Sequence, residues 1–227
     1  MSDLGADMAP DIWNLRARVK RAARYLSPLT DIELAHAMWR RMTGFADEGL
    51  PRFERHEQGA DIFLDVVSAA ASDDEYLIRS IRRASALIIA EQAGKPALVD
   101  LNGIGEALFL AARIQAQEAV NPIYALALNP EGEARLSNGE SLQARSLRAL
   151  LGLLIAFPAS ASEAHRKLFE SLMVKSECSL TCLTALIAIF HGDRDRLVAA
   201  VRKHEIRIMD DQLDAHLAIA QTNSRSD

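Results

Sequence analysis

The chain is poor in aromatic residues. Phe, Trp and Tyr make up 5% of its 227 residues, so a core has to be assembled mostly from Leu, Ile, Val and Ala. Such a core suits helices better than a β-sandwich, in which β-branched and aromatic side chains dominate. Cysteine is nearly absent as well. Cys178 and Cys182 are the only two, which gives no disulfide framework. They read as buried free thiols of a reducing, cytoplasmic compartment. No uncharged run approaches the roughly 20 residues that a membrane-spanning helix needs. Residues 1–9 hold two aspartates and no apolar run, which speaks against a secretory leader.

Catalytic signatures are missing too. The sequence contains no HExxH, paired CxxC, GxSxG or SxxK motif. Asn138-Gly-Glu-Ser141 lacks the Lys-Ser/Thr ending of a phosphate loop. Gly103-x-Gly105 follows a short apolar stretch at 97–101, as the first turn of a dinucleotide site would. The third glycine position, however, is Leu108, and no second strand and crossover helix follow. A loop and helix start are expected there instead, with the helix running to about Ala119. Positive charge is not in excess. The net charge of −5 disfavours nucleic acid as a partner and suits a protein with a basic surface.

What remains is ordinary globular material, 49% hydrophobic and 25% charged, long enough to bury a sizeable core. The most apolar stretch, 176–192, reads as a central helix. Leu183, Leu186, Ile187 and Phe190 lie at i, i+3, i+4 and i+7, with Thr181, Thr184, Ala185 and Ala188 on the small side. It is expected to clasp a second apolar helix near 147–157. The helix from Leu29 to Gly44 opens on a capping box, Thr30-x-x-Glu33. Ser72-x-x-Glu75 and Ser160-x-x-Glu163 repeat that pattern. Between the two helical halves, Tyr124, Leu126 and Leu128 alternate with small residues, and Asn129-Pro-Glu-Gly132 has the composition of a type I turn. A short β-hairpin near 123–136 is therefore expected.

The sequence thus predicts a mainly α chain: an irregular multi-helix bundle with helical-repeat-like packing as an alternative for its C-terminal half. Its parts are an N-terminal helical half (1–120), a hairpin connector (121–140), a C-terminal helical half (141–221) and a polar tail (222–227). Function is legible only by class. The first reading is a cytoplasmic protein–protein interaction module of the adaptor, chaperone, immunity or secretion-accessory type, binding another protein or a second copy of itself. No cofactor is implied by it. The second is a metal-dependent helical enzyme. Glu33-x-x-His36 places two ligand types on one helix face, the spacing that di-iron bundles use twice, but the sequence holds one copy. The third is a membrane-surface or nucleic-acid contact through the basic helix 11–26, whose polar side carries Arg16, Lys20 and Arg24. A further basic cluster, Arg79, Arg82 and Arg83, is expected to point away from the buried line Leu77, Ile81, Ala84 and Ile88.

Overall fold

The computed structural model describes residues 24, 26–43, 75–95, 98 and 100–190. Within them the chain is mainly helical, with seven α-helices: α1 Asp31–Met42, α2 Glu75–Ala93, α3 Leu101–Arg113, α4 Val120–Ala127, α5 Leu142–Ala156, α6 Glu163–Leu172 and α7 Ser179–Ala188. Short 3-10 turns, Gln117–Ala119 and Pro158–Ser160, precede α4 and follow α5.

Helix α1 begins as its sequence dictates. The Thr30 N–H and hydroxyl donate to Glu33 Oε2 (2.9 and 2.8 Å), and the Glu33 N–H donates back to Thr30 Oγ1 (3.3 Å). This reciprocal pair satisfies orphan donors of the first turn. Leu34, Met38 and Met42 then turn inward. In α2 the line Leu77, Ile81, Ala84 and Ile88 is buried as its period requires, with Ser80, Ser85 and Ile89 beside it. The Ser85 hydroxyl donates to the Ile81 carbonyl (2.8 Å), so this small polar group enters the core already paired. Helix α2 packs against α1, α3, α4 and the turn before α4. It is therefore α2, and not the 176–192 stretch, around which the described core gathers. Its small residues let several helices approach, while Arg79 and Arg83 keep to a narrower outer stripe. The expected contact between the two apolar segments does exist: α7 packs on α5, and on α6.

The hairpin expected near 123–136 does not form. Residues 120–127 are helical, and Val120, Ile123, Leu126 and Ala127 are buried at helical spacing. Three alternating apolar residues fit either period, and Val120, just outside the window, decides for the helix. Pro122 is tolerated because it lies in the first turn, where its missing N–H would have had no intrahelical acceptor. The Asn129–Gly132 turn is real, since the Gly132 N–H donates to the Asn129 carbonyl (2.9 Å). The β-like pairing among the described residues is a single antiparallel bridge, Arg135 with Ser141. It closes over Asn138-Gly139, with Gly139 at φ 82°, a conformation that suits glycine.

Three helix boundaries also differ from expectation. Helix α3 starts at Leu101, capped by Asp100, which accepts from the Gly103 N–H (2.8 Å). Both glycines of the G-x-G are thus inside a helix, and both are buried. A Cβ on Gly103 would stand 3.0 Å from Thr43 Cγ2 and 3.3 Å from Trp39 Cη2, so this glycine lets the end of α1 reach α3. Helix α3 ends at Arg113 rather than near Ala119. The Gln115 N–H donates to the Ala112 carbonyl and the Ala116 N–H to the Ala111 carbonyl (3.2 and 2.9 Å), with Gln115 left-handed at φ 53°. This is a Schellman stop without its usual glycine, so the sequence carried no sign of it. The cap of α6 is Ser162, not Ser160: its N–H donates to His165 Nδ1 (3.1 Å) and its Oγ accepts from the His165 N–H (3.4 Å). His165 does what Glu or Gln does in a capping box.

Candidate functional site

The residues singled out by sequence fall in three places. Glu33 and His36 are both exposed on α1. The Glu33 carboxylate is occupied by the cap, and the Thr30 N–H, then the Thr30 hydroxyl, hold it below the usual carboxylate range. Among the described residues no three His, Cys, Asp or Glu side chains group as a metal site would require. Arg16 and Lys20 lie outside the described residues, and Arg24 is exposed. The α2 arginines have partners within the chain. Arg79 pairs with Glu75 one turn back, and Arg83 reaches Asp31 of α1 at 3.5 Å. Arg82 departs from its expected outward role. It is half-buried and donates from Nε to the Ile114 carbonyl (2.8 Å), so it caps the C-terminus of α3, where a cation also meets the favourable end of the dipole.

A polar pocket of about 260 Å³ opens between the 133–143 segment and the link from α6 to α7. Its walls include Glu133, Arg135, Gln143, Lys175, Glu177 and Cys178. Its charges are matched internally. Lys175 Nζ donates to Glu133 Oε1 (2.6 Å) and Gln143 Oε1 (2.8 Å), and Gln143 Nε2 donates to the Ala127 carbonyl at the end of α4 (2.9 Å). Arg135 pairs with Glu177. Lys175 holds the Glu133 carboxyl below its ordinary value, and Arg135, then Ser141, do the same for Glu177. Burial pushes the Cys178 thiol up, which keeps it protonated and weakly nucleophilic at neutral pH. The pocket is therefore a suture. It ties the end of α4, the start of α5 and the α6–α7 link together.

The second surface lies on α3 and α5. The Ser137 N–H donates to Asn102 Oδ1 (3.0 Å) ahead of α5, and Gln117 Nε2 donates to Ser160 Oγ (3.0 Å) beyond both C-termini. The two helices therefore run side by side in the same direction. Each presents one stripe: Asn102, Phe109 and Arg113 on α3, and Arg148, Gly152 and Ile155 on α5, all exposed. Arg145, one turn before Arg148 on α5, reaches Phe109 of α3. Phe109 is 43% exposed, and the guanidinium carbons of Arg113 and Arg145 stand 5.9 and 5.7 Å from the ring centroid, within cation–π range. Arg145 and Arg148 share one carboxylate, Glu140, whose side chain is only 11% exposed. Sequence reasoning passed over Phe109 because a Phe on a helix reads as core. That it faces outward follows only from which side of α3 meets α2 and α5.

Among the described residues no helix is long and apolar enough to cross a membrane. Comparison with known proteins assigns no relative: no protein-family model, no curated protein and no solved structure matches the chain.

Proposed function

We propose that this chain is a cytoplasmic protein–protein interaction module of the adaptor, chaperone, immunity or secretion-accessory kind, acting by docking rather than catalysis, with the α3/α5 face as its contact surface. The observation that carries the reading is Phe109, left 43% exposed with two guanidinium groups over its ring. Fully burying an aromatic ring contributes about 2–3 kcal/mol, so a residue left 43% exposed holds about 1 kcal/mol of that in reserve for a partner. Aromatic residues and Arg are the types enriched where partners meet. The packing pattern supports the same reading. Among the described helices from α2 onward, those with substantial contacts are never more than two places apart, as in helical-repeat arrays, which use their side-by-side helices as docking surfaces.

The metal-dependent reading draws less support, because the Glu33 carboxylate already holds the Thr30 N–H and hydroxyl. The experiment is site-specific photo-crosslinking in the source cell, with a benzophenone side chain placed at 109 and, as controls, at the exposed Leu87 and Leu128. Position 109 should give a discrete adduct that the controls do not. Equal or absent adducts at all three positions would remove the α3/α5 face from consideration.

A further inference from the structure

The α3/α5 face differs electrostatically from the chain that carries it. The whole protein has a net charge of −5. On this face Arg145 and Arg148 stand over the single carboxylate of Glu140, two positive charges against one negative. Glu140 lies low, with its side chain 11% exposed, while the Arg148 side chain above it is 56% exposed. One carboxylate therefore serves two guanidinium groups from beneath. Each guanidinium has five N–H donors, and a single carboxylate cannot use those of two arginines. Donors remain for a second carboxylate arriving from solvent, which can be met without breaking the pairs to Glu140. Gly152, further along the same stripe, has nothing within 4 Å of where its Cβ would stand, so no side chain there blocks an approaching segment.

Building on the docking role assigned to this face, we infer that its occupant is an acidic segment of a partner protein. An apolar or aromatic side chain of that segment packs on Phe109, and its carboxylates meet Arg145 and Arg148. A basic target, which the net charge taken alone would favour, meets the wrong sign at this surface. A nucleic acid meets one excess cation here and an acidic protein around it, where polyanion binding needs an extended basic stripe.

The test uses the full chain and labelled peptides of about twelve residues, read by fluorescence anisotropy. The probe has Glu and Asp around a central Phe-Leu pair; one control replaces its acids by Lys and Arg, another its Phe-Leu by Ser-Ser. A labelled oligothymidine is run beside them. The acidic Phe-Leu peptide should bind at least about tenfold tighter than either control, a factor typical of one truncated anchor. Phe109→Ser and Arg145→Gln should each weaken it about tenfold. Arg148→Glu should shift the preference toward the basic peptide while the variant keeps the parent's helical circular dichroism and cooperative urea transition, which separates a reversed face from non-specific attraction to a misfolded acidic chain. Equal binding of all peptides, a preference of the parent for the basic one, or tighter binding of oligothymidine that also depends on Phe109 overturns the proposal. So does a concentration-dependent dimer lost in Phe109→Ser, which would make a second copy the occupant. If photo-crosslinking at 109 succeeds while the peptide preference fails, the face stands and its assigned chemistry falls.

Discussion

Gln143 offers the most direct check on the packing described above. It is buried, and its amide spans two elements: Nε2 donates to the Ala127 carbonyl at 2.9 Å and Oε1 accepts from Lys175 at 2.8 Å. The Ala127 carbonyl is in the last residue of α4, past the point where an intrahelical N–H could reach it. Gln143→Leu keeps the side chain's volume and removes both bonds. A buried acceptor left unpaired costs about 1–3 kcal/mol. Lys175 keeps Glu133 and solvent, so its side of the loss is small, and the added apolar burial returns about 1 kcal/mol. The net expectation is a destabilisation of about 1 kcal/mol, with an upper bound of about 2 kcal/mol, seen in urea titration as a lower midpoint at unchanged slope. In a thermal scan it corresponds to a fall in Tm of about 2–4 °C at this size. Gln143→Glu should be worse at neutral pH, because a carboxylate has no proton to offer the carbonyl, and should recover partly in mild acid as the carboxyl protonates. A Leu variant within about 0.3 kcal/mol of the parent, or a Glu variant no worse than the Leu one, would show that the bond to Ala127 is not what holds α4 to α5.

Three further outcomes follow from particular residues. Gln115→Gly should stabilise by about 0.5–1 kcal/mol, the left-handed penalty removed less the extra backbone entropy of glycine, measured as a raised urea midpoint. Two glycines should respond to side chains with opposite sign: Gly103→Val, which meets Thr43 and Trp39, should cost about 1–3 kcal/mol through overpacking, whereas Gly152→Ala, with open space around it, should gain about 0.5–1 kcal/mol in helix propensity. Burial pushes the His165 pKa down, and its Nδ1 accepts from Ser162, so the folded state holds it neutral and the unfolded chain binds the extra proton. Its contribution to stability is complete above about pH 6.5 and is lost as the pH falls from there toward the folded value. His165→Gln should keep the cap and flatten that slope, and an unchanged pH profile in the variant would refute the assignment.

Local physics was legible from the sequence wherever a few neighbouring residues settle the matter. The Thr30–Glu33 box, the buried line of α2, the Asn129–Gly132 turn and the stop at Pro158 all depend on spacings of one to four residues. The mainly helical class followed from the same source, through scarce aromatics and repeated apolar faces. Distant parts of the chain decided the rest. Whether 120–127 coils or extends turned on burying Val120 with Ile123 against α2 and α5. Gln115 takes the left-handed stop with Arg82 of α2 capping the adjacent carbonyl. Gly103 is fixed by the end of α1, and Phe109 faces solvent because other sides of α3 are taken by α2 and α5. Each of these outcomes depends on contacts between residues far apart in sequence, and one linear pattern cannot encode which of several apolar faces will find a neighbour.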